Sequence, residues 1–403
     1  MNILFVSPRI PYPMDSGAKI RTFSLLKGLQ ATHKVILLSF VYDKKDEEGA
    51  EAIERMGIKV IQVKGEGKIT GKTIMRAVFN GIPLTIAKYY SDSMRRAINS
   101  LIKEENIEVV HFDHIHMGQY VDMCRVKYSV IDEHNVESII LKRLSENEES
   151  PFKKMIYKNE CRKLAKLEKD KCRKASLVTV VSEEDKKALQ NLCGEGANVE
   201  VVPNGVDVDY FRDSPLRGQS LEDAVVFTGA MDWLPNSDAA EYFIKDILPI
   251  IWKKNPSVKF YIVGKKPPQR LKNLQEANGR IIITDSVPDV RPYVFKSKVF
   301  IVPLRIGGGT RLKILEALSM EKAVVSTSIG AEGLNVSDGK DILIADTPEA
   351  FADRVLELLG NDVLRKNLGS NGRNLALGTY DWKIISERLS KLYRGSFSYA
   401  EKV

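Results

Sequence analysis

The sequence contains few cysteines and no long apolar segment. Its four cysteines are far apart and form no C-x-x-C pair: Cys124, Cys161, Cys172 and Cys193. This spacing argues against a zinc site or a redox centre, so we expect reduced thiols. The longest apolar runs, such as residues 247–252, are far shorter than the ~18 residues that span a bilayer. The N-terminal segment also lacks the pattern of a secretory signal, which predicts a cytoplasmic protein.

The composition is that of a folded enzyme with surplus positive charge. Hydrophobic residues make up 43% of the chain and charged residues 28%, which argues against a disordered protein. A chain of 403 residues is too long for one core and predicts two domains. The formal net charge of +8 is compatible with nucleic acid, an anionic membrane surface or phosphorylated substrates as partners.

Strand and helix patterns alternate through the first half of the chain. Three apolar strands, at residues 2–6, 34–40 and 59–63, are separated by helical segments at residues 18–30 and 46–56. This order predicts a parallel sheet, in which ligands bind at the carboxyl ends of the strands. Gly17 follows the first strand. It is expected at that edge, either as a simple turn or as a ligand contact.

Histidines follow the next two predicted strands. His111, His114 and His116 crowd at the end of one strand, but their spacing matches neither a helical pair nor a standard zinc signature. His134 follows the strand predicted over residues 128–132. We expect it at the carboxyl edge of the sheet, facing away from the core. There it could donate a hydrogen bond or act in acid–base chemistry, with an ordinary polar loop residue as the alternative.

A strongly basic helix is predicted over residues 141–175. Its lysines and arginines, between Lys153 and Lys174, alternate with apolar residues such as Phe152 and Met155. Most such runs are solvated faces, and contact with an anionic lipid surface is the alternative. A turn at residues 203–207 then marks the predicted domain boundary. Its Asp207-Val-Asp209 has the spelling of a metal-binding D-x-D, but the preceding Asn-Gly favours a turn and helix cap.

The second half repeats the α/β pattern and contains a glycine-rich turn. Strands are predicted at residues 224–228, 259–263, 280–284, 299–302, 323–326 and 341–344. Gly307-Gly308-Gly309-Thr310 connects one of them to a helix. Because free N–H groups at a helix start attract anions, Arg311 and Lys313 in that first turn favour a phosphate ligand, with an ordinary surface helix as the alternative. Glu316 could then accept hydrogen bonds from ribose hydroxyls.

Together these residues resemble the retaining nucleotide-sugar glycosyltransferases of the GT-B type, in particular glycosyltransferase family 4. The resemblance covers nearly the whole chain and is strongest at residues 201–207, 260–264, 284–293 and 303–334. It implies an α/β fold with GT-B architecture, in which two Rossmann-like domains with parallel sheets face each other across a cleft. The implied acceptor domain is residues 1–203 and the donor domain is residues 204–380. The C-terminal helix, residues 381–403, packs back on the first domain.

The resemblance also implies roles for individual residues. The segment Gly308 to Lys313 matches the one that holds the donor diphosphate, and Glu316 matches the ribose-binding glutamate of the family. Val287 matches the loop that reads the base, His134 the contact to the donor sugar, and Gly17 a contact to the distal phosphate. The implied catalytic residues are His134, Arg311 and Lys313. The implied donor-binding residues are Gly17, Gly229, Val287, Gly307, Gly308, Gly309, Thr310 and Glu316.

Two features depart from the family pattern. Gly308 stands where the first glutamate of the family's Glu-x7-Glu motif is expected, so a carboxylate contact to the donor sugar is missing. The basic pair that many members carry after the first strand of the second domain is also absent after Gly229. Arg311 and Lys313 would then replace that charge.

The implied reaction is transfer of a sugar from a nucleotide-diphosphate sugar, with UDP- or GDP-sugars as expected donors. The acceptor is a saccharide or a lipid-linked intermediate of cell-envelope polysaccharide or glycolipid synthesis. We expect retention of configuration, no cofactor, no metal ion and no nucleic-acid partner. The expected location is cytoplasmic, at the inner face of the membrane if the basic helix binds lipid. The alternatives are a nucleotide-sugar 2-epimerase of the same fold and a non-catalytic basic binding protein.

Overall fold

The computed structural model describes residues 1–212, 221–306 and 311–400, apart from the side chains of a few of them. The chain divides into two units. One consists of Met1–Pro203 together with the chain from Ile385 onward, and the other is Asn204–Ile384. The first boundary therefore falls between Pro203 and Asn204, and the chain re-enters the first unit within its last helix.

The first unit is built on a parallel sheet whose inner strands are almost entirely buried. In the described chain the strands are β1 (Asn2–Ser7), β2 (Lys34–Val41), β3 (Lys59–Lys64), β4 (Val109–Asp113), β5 (Tyr128–Glu133), β6 (Leu177–Val180) and β7 (Val199–Val201). Their order across the sheet is β3-β2-β1-β4-β5-β6-β7, with parallel neighbours throughout. Covering helices bury both faces of such a sheet, so its strands are continuous apolar runs. The order reverses between β1 and β4, where ligands bind in sheets of this kind.

Helices connect these strands. They are α1 (Gly17–Gln30), α2 (Lys44–Arg55), α3 (Gly71–Phe79), α4 (Leu84–Ala87), α5 (Asp92–Glu104), α6 (His114–Gly118), α7 (Glu137–Asn147), α8 (Pro151–Lys174) and α9 (Glu183–Cys193). Local sequence explains several starts. The Asp43 side chain accepts a hydrogen bond from the Asp46 backbone N–H at the start of α2, and Ser182 accepts one from the Asp185 N–H at the start of α9. Polar caps of this kind satisfy the free N–H groups of a first turn.

The single basic helix predicted over residues 141–175 is wrong. The structure has two helices there, because α7 ends at Asn147 and α8 begins at Pro151. Proline has no backbone N–H and a fixed φ, so it suits a first turn but not the interior of a helix. The buried Glu168 side chain of α8 accepts a hydrogen bond from the Ser138 backbone N–H at 3.1 Å and so ties the two helices together.

The second unit repeats the parallel arrangement with a smaller sheet. Its described strands are β8 (Glu222–Thr228), β9 (Lys259–Val263), β10 (Ile281–Ile283), β11 (Ser297–Val302), β12 (Ala323–Ser326) and β13 (Leu343–Ile344). Their order is β10-β9-β8-β11-β12-β13, the doubly wound order of a Rossmann sheet. The strand predicted from Asp341 is shorter than expected. The Asp341 carboxylate accepts a hydrogen bond from the Ser337 N–H at 2.9 Å, which holds that residue in a turn.

Helices of the second unit cover this sheet. They are α10 (Val208–Arg212), α11 (Leu234–Tyr242), α12 (Leu248–Lys254), α13 (Gln269–Ala277), α14 (Arg291–Lys296), α15 (Leu312–Ser319), α16 (Ser328–Ala331), α17 (Pro348–Gly360) and α18 (Asp362–Leu375). The cap interpretation of Asp207 is confirmed, since its carboxylate accepts a hydrogen bond from the Tyr210 N–H at 2.9 Å as α10 begins.

The last helix, α19 (Trp382–Ala400), belongs mostly to the first unit. Its Leu389 and Tyr393 side chains are completely buried. The Tyr393 hydroxyl and His111 Nδ1 are 2.7 Å apart, and the Ser390 hydroxyl lies 2.7 Å from His33 Nε2. Burying side chains of this size stabilises a fold by about 2 kcal/mol each. None of the helices in the described chain is long and apolar enough to cross a membrane.

Candidate functional site

Two buried aspartates end neighbouring strands of the first unit. Asp113 is the last residue of β4, Asp132 lies near the end of β5, and the two are directly paired in the sheet register. Both carboxylates are almost completely buried, at 2% and 0% exposure. Buried carboxylates must be matched by positive charge or hydrogen-bond donors, so their partners define the site.

The partner of Asp132 is Arg21 of α1. The guanidinium makes two hydrogen bonds to the carboxylate, with its Nε 2.8 Å and its NH2 2.7 Å from the two oxygens. Arg21 also donates to the Pro203 carbonyl at 3.0 Å, and Thr179 donates to Asp132 at 2.6 Å. Burial alone would raise the pKa of Asp132, but the Arg21 charge holds that pKa well below its ordinary value. Asp132 is therefore a fixed anion.

The carboxylate of Asp113 holds His134. The His134 Nε2 lies 2.9 Å from Asp113 Oδ1 and 3.3 Å from Asp132 Oδ2. Ser7 and Thr22 also donate to Asp113, at 2.7 and 3.0 Å. Burial would lower the pKa of His134, but the nearby carboxylates, Asp113 first, outweigh it and raise the pKa to about 9. His134 is thus an imidazolium at neutral pH.

The position of His134 agrees with the sequence, but its surroundings do not. It follows β5 at the carboxyl edge of the sheet, as expected. However, the residue is only 7% exposed, whereas the sequence indicated a side chain that faces away from the core. The difference has a physical cause. The paired strand ends create a buried negative charge, and the imidazolium turns inward to neutralise it.

Of the clustered histidines, His111 packs in the core, whereas His114 and His116 adjoin His134. His111 is fully buried and stacks on Phe5, with ring centroids 4.0 Å apart. The His114 ring lies 4.0 Å from that of His134 and 5.2 Å from that of His116. Burial lowers the pKa of His116 to about 4 and that of His114 well below its ordinary value, so both are neutral. These neutral rings extend the surface next to His134.

A group of three potential metal ligands lies in the described chain, namely Asp113, Asp132 and His134, with ligand atoms within 4.8 Å of one another. The two carboxylates in this group already face two positive charges, the Arg21 guanidinium and the His134 imidazolium. The charges are therefore balanced within the protein.

A second polar cluster lies in the second unit, where α15 begins near the end of β8. The Lys313 ammonium donates to the Asn236 side-chain oxygen at 2.8 Å and lies 4.1 Å above the centre of the Phe227 ring. Gly229 borders this contact with a φ of +151°, and a Cβ there would come within 2.9 Å of the lysine Nζ. Only glycine therefore fits at position 229 without displacing Lys313 or Asn236.

Lys313 and Glu316 are one helical turn apart and shift each other's ionisation. Burial lowers the pKa of Lys313 to about 7, although the Glu316 carboxylate opposes that shift. Burial likewise raises the pKa of Glu316 to about 7, opposed by Lys313. An amine and a carboxyl whose pKa values both lie near 7 can change charge when a ligand binds. Such shifted pKa values are typical of a binding site.

Other predicted donor-binding residues have varied positions. Arg311 directly precedes α15, and Gly17 is the exposed first residue of α1. Val287 is half-buried and packs against the core of the second unit. Its loop is held in place by Asp289, which pairs with Arg291 at 2.8 Å. The predictions for Gly307, Gly308, Gly309 and Thr310 lie outside the described residues.

Sequence reasoning missed the groups that support the predicted residues. No individual role was predicted for Arg21, Asp113, Asp132 or Asn236. A signal existed for the two aspartates, since each ends a predicted apolar strand at the ligand-binding edge of a parallel sheet. Arg21 offered no such signal, because it looks like any basic residue in a helix.

Comparison with known proteins adds family information. Residues 16–210 match the model described as Glycosyltransferase Family 4, and residues 222–361 match Glycosyl transferases group 1. An uncharacterized 44.6 kDa protein in the cps region of Klebsiella pneumoniae is 23% identical over 398 residues, covering 96% of this chain and 99% of that protein. The GDP-mannose-dependent alpha-(1-6)-phosphatidylinositol monomannoside mannosyltransferase of Mycolicibacterium smegmatis is 26% identical over 241 residues. That alignment covers 55% of this chain and 63% of the mycobacterial enzyme.

The fold is also similar to that of solved structures. The crystal structure of Anabaena Alr3699/HepE in complex with UDP aligns with a TM-score of 0.71 at 15% identity, covering 98% of this chain and 100% of that one. This likeness supports the sequence prediction of an α/β fold with two Rossmann-like domains, which the two parallel sheets confirm.

Proposed function

Because the chain is a glycosyltransferase of the GT-B type, we propose that it transfers a sugar from a nucleotide-diphosphate sugar to a saccharide or lipid-linked acceptor. In this proposal the reaction retains configuration and uses no metal ion or cofactor. The product belongs to cell-envelope polysaccharide or glycolipid synthesis. Two relatives support this choice of acceptors. One is the protein in a cps region, and the other is the phosphatidylinositol monomannoside mannosyltransferase.

The observation that carries the donor assignment is the environment of Lys313. Its ammonium donates to the neutral Asn236 side-chain oxygen at 2.8 Å and lies over the Phe227 ring, and burial lowers its pKa. A diphosphate would bring negative charge to this half-buried amine. Glu316, one turn further along α15, would accept hydrogen bonds from the ribose hydroxyls.

This arrangement would assist departure of the nucleoside diphosphate. Breaking the bond between sugar and phosphate develops negative charge on the diphosphate. Fixed positive groups therefore stabilise the transition state more than the bound substrate. In the proposal Lys313 and Arg311 provide that charge without a metal ion. Donors that are already oriented lower the barrier effectively because they need no reorganisation during the reaction.

The role of His134 follows from its protonation. Its Nε2–H is held by Asp113, and the raised pKa keeps the ring charged at neutral pH. A general base must be able to accept a proton, which an imidazolium cannot do. We therefore propose that His134 contacts the donor sugar as a positively charged hydrogen-bond donor through Nδ1, and that it does not act as a base.

We also propose that the enzyme works at an anionic membrane surface. The outer face of α3 is apolar and exposed: Ile74 is 50%, Met75 56%, Val78 68% and Phe79 82% accessible. At the start of α8, Phe152 and Met155 are also exposed, and Lys153 lies between them. The backbone N–H at the start of α4, which follows α3, donates to Glu160 of α8 at 2.7 Å. That bond brings the two apolar surfaces to the same region of the first unit. Apolar side chains flanked by lysines suit a surface of anionic lipid headgroups.

The donor assignment is tested by thermal stability in the presence of nucleotides. UDP, GDP, ADP and TDP, with their common sugar conjugates, are added to the wild type and to Glu316→Ala. A ligand that binds only the folded state raises the apparent melting temperature by mass action. We expect one nucleotide series to stabilise the wild type and Glu316→Ala to lose most of that gain. Glu357→Ala removes an exposed carboxylate of the same unit and should keep it.

Two outcomes would contradict the proposal. If no nucleotide stabilises the wild type, the donor site is misassigned and a non-catalytic binding protein becomes the better hypothesis. If a nucleotide sugar binds but yields free epimerised sugar without an acceptor, the chain is a 2-epimerase.

A further inference from the structure

A cavity of ≈ 270 Å³ lies at the carboxyl ends of β2 and β3 in the first unit. Tyr42 and Lys64, at the ends of these strands, form one wall, and α3 supplies the other with Lys72 and Arg76. The Gly65 backbone packs directly against the Tyr42 ring, because a Cβ on residue 65 would lie 2.3 Å from a ring carbon. The glycine therefore lets the loop pack closely, and this packing shapes the cavity wall.

The lining of this cavity carries uncompensated positive charge. It contains four cations, Lys64, Lys72, Arg76 and Lys88, but only two carboxylates, Glu66 and Asp92. The carboxylate of Asp92 is already engaged, because it accepts from the Tyr90 hydroxyl at 3.0 Å and pairs with Arg95 at 3.3 Å. None of the four cations forms an ion pair within the described part of the chain. Clustered cations repel one another, so the cavity favours an anionic ligand.

One of these cations is held in a fixed orientation. The Arg76 guanidinium lies 3.9 Å above the centre of the Tyr90 ring, and Tyr90 stacks on Tyr120 at 6.0 Å. Arg76 is half-buried, so its charge is only partly solvated. A planar guanidinium presented in this way can make two parallel hydrogen bonds to a phosphate or a carboxylate.

Aromatic rings connect the cavity with His134. Lys88 and Tyr90 of the lining flank Tyr89, whose ring lies 5.0 Å from that of His116. From His116 the contacts continue through His114 to His134, as described above. All of these groups lie at the carboxyl edge of one sheet. The cavity and the aspartate pair are three strand spacings apart, about 14 Å.

We propose that this cavity is the acceptor subsite for an anionic group, a phosphate or a carboxylate, carried by the acceptor saccharide. This inference rests on the proposed function and names the chemistry of its acceptor. The separation from His134 means that the charged group lies one or more sugar residues away from the hydroxyl that receives the new sugar. The neutral rings between the two positions provide faces on which those sugar residues pack.

The test is calorimetric titration of the full chain with four probes: glucose 1-phosphate, glucuronate, inorganic phosphate and glucose. The variants are Arg76→Ala and Lys72→Gln, with Arg55→Ala as the control. Arg55 is an exposed arginine on α2 in the same unit, so its loss changes the net charge equally. We expect at least one anionic sugar to bind the wild type and Arg55→Ala alike. Binding should weaken about tenfold or more in Arg76→Ala, because a charge-assisted bond is lost.

Several results would overturn the proposal. These are no binding of either anionic sugar, equal affinity in Arg76→Ala and Arg55→Ala, and inorganic phosphate binding as tightly as glucose 1-phosphate. Lys72 is exposed, so Lys72→Gln should fold. If Arg76→Ala does not fold, the affinity of Lys72→Gln for the anionic sugars decides between the outcomes. Nucleotide-dependent stabilisation is measured on the same variants. If it persists while the anionic sugars fail to bind, only the acceptor subsite is wrong and the donor assignment stands.

Discussion

At the scale of single residues, Lys313 and Glu316 determine how the donor site responds to pH. The pKa of each lies near 7 in the unliganded protein. Lys313 is charged below that pH and loses its charge above it, whereas Glu316 is neutral below it and ionised above it. A diphosphate requires the ammonium, and ribose hydroxyls bind better to the carboxylate. Each residue therefore limits binding on one side of neutrality.

We expect nucleotide affinity to follow a bell-shaped curve with its maximum near pH 7. Above about pH 7 the complex must take up a proton at Lys313, so affinity should fall by up to about tenfold per pH unit. Lys313→Arg keeps its charge and should remove this alkaline decline. Glu316→Gln should remove the acidic decline. Calorimetric titration from about pH 6 to about pH 9 measures both arms. An alkaline decline that persists in Lys313→Arg would show that another group is responsible.

How much of this chemistry could be predicted depends on the residue. Lys313 and Glu316 were predictable because they share the first turns of a helix that follows a glycine-rich loop. The charge state of His134 was not, since it depends on Asp113, which is 21 positions away and is brought near by the pairing of β4 with β5. Which strands pair, and in which register, is a property of the tertiary structure and cannot be read from local sequence patterns.

At the scale of elements, α3 has two faces with different chemistry. Lys72 and Arg76 line the basic cavity, whereas Ile74, Val78 and Phe79 are exposed on the remaining surface of the helix. For membrane contact, the sequence directed attention to the basic helix of residues 141–175 and did not mark the apolar face of α3. The helix has only nine residues, and in the sequence its apolar residues look like an ordinary core face. Only the fold shows that they are exposed.

The exposed face of α3 leads to a test of membrane binding. We expect the double variant Val78→Ser and Phe79→Ser to sediment with phosphatidylglycerol vesicles about tenfold less than the wild type. Full burial of a Phe or Val side chain contributes about 2 kcal/mol, so losing even partial burial of both exceeds the ~1.4 kcal/mol of a tenfold change. Met56→Ser alters an exposed apolar residue after α2 and serves as the control. Equal sedimentation of all three proteins would exclude α3 as a membrane contact. Sedimentation that does not depend on anionic lipid would contradict the proposed anionic surface.

At the scale of the whole molecule, the chain begins and ends in the same unit. The prediction of two Rossmann-like domains is confirmed, and so is the prediction of a glycosyltransferase. Repeated β-α-β patterns and paired strand ends made both predictable. The helix break before Pro151 was missed because the basic composition continues through it, although a proline at a first turn was a local signal.

This chain path has a consequence for folding. The second unit is one continuous segment, Asn204–Ile384, whereas the first unit needs α19 from the end of the chain. We expect a fragment of residues 204–384 to unfold cooperatively on its own. A fragment of residues 1–203 should not, because it lacks Leu389 and Tyr393 from its core. Adding a peptide of residues 385–400 should restore its cooperative thermal unfolding. Cooperative unfolding of residues 1–203 without the peptide would contradict this expectation.

The glycine at position 229 also limits how this enzyme can be redesigned. A Cβ on Gly264 would come within 1.8 Å of the Gly229 carbonyl oxygen, and Gly264 has a φ of +158°. A side chain at position 264 would displace the backbone of Gly229, and a side chain at position 229 would displace Lys313 or Asn236. A mutant library intended to change donor preference should hold both glycines constant. Its diversity belongs at Asp285, Ser286 and Pro288, whose exposed side chains can vary without disturbing the lysine.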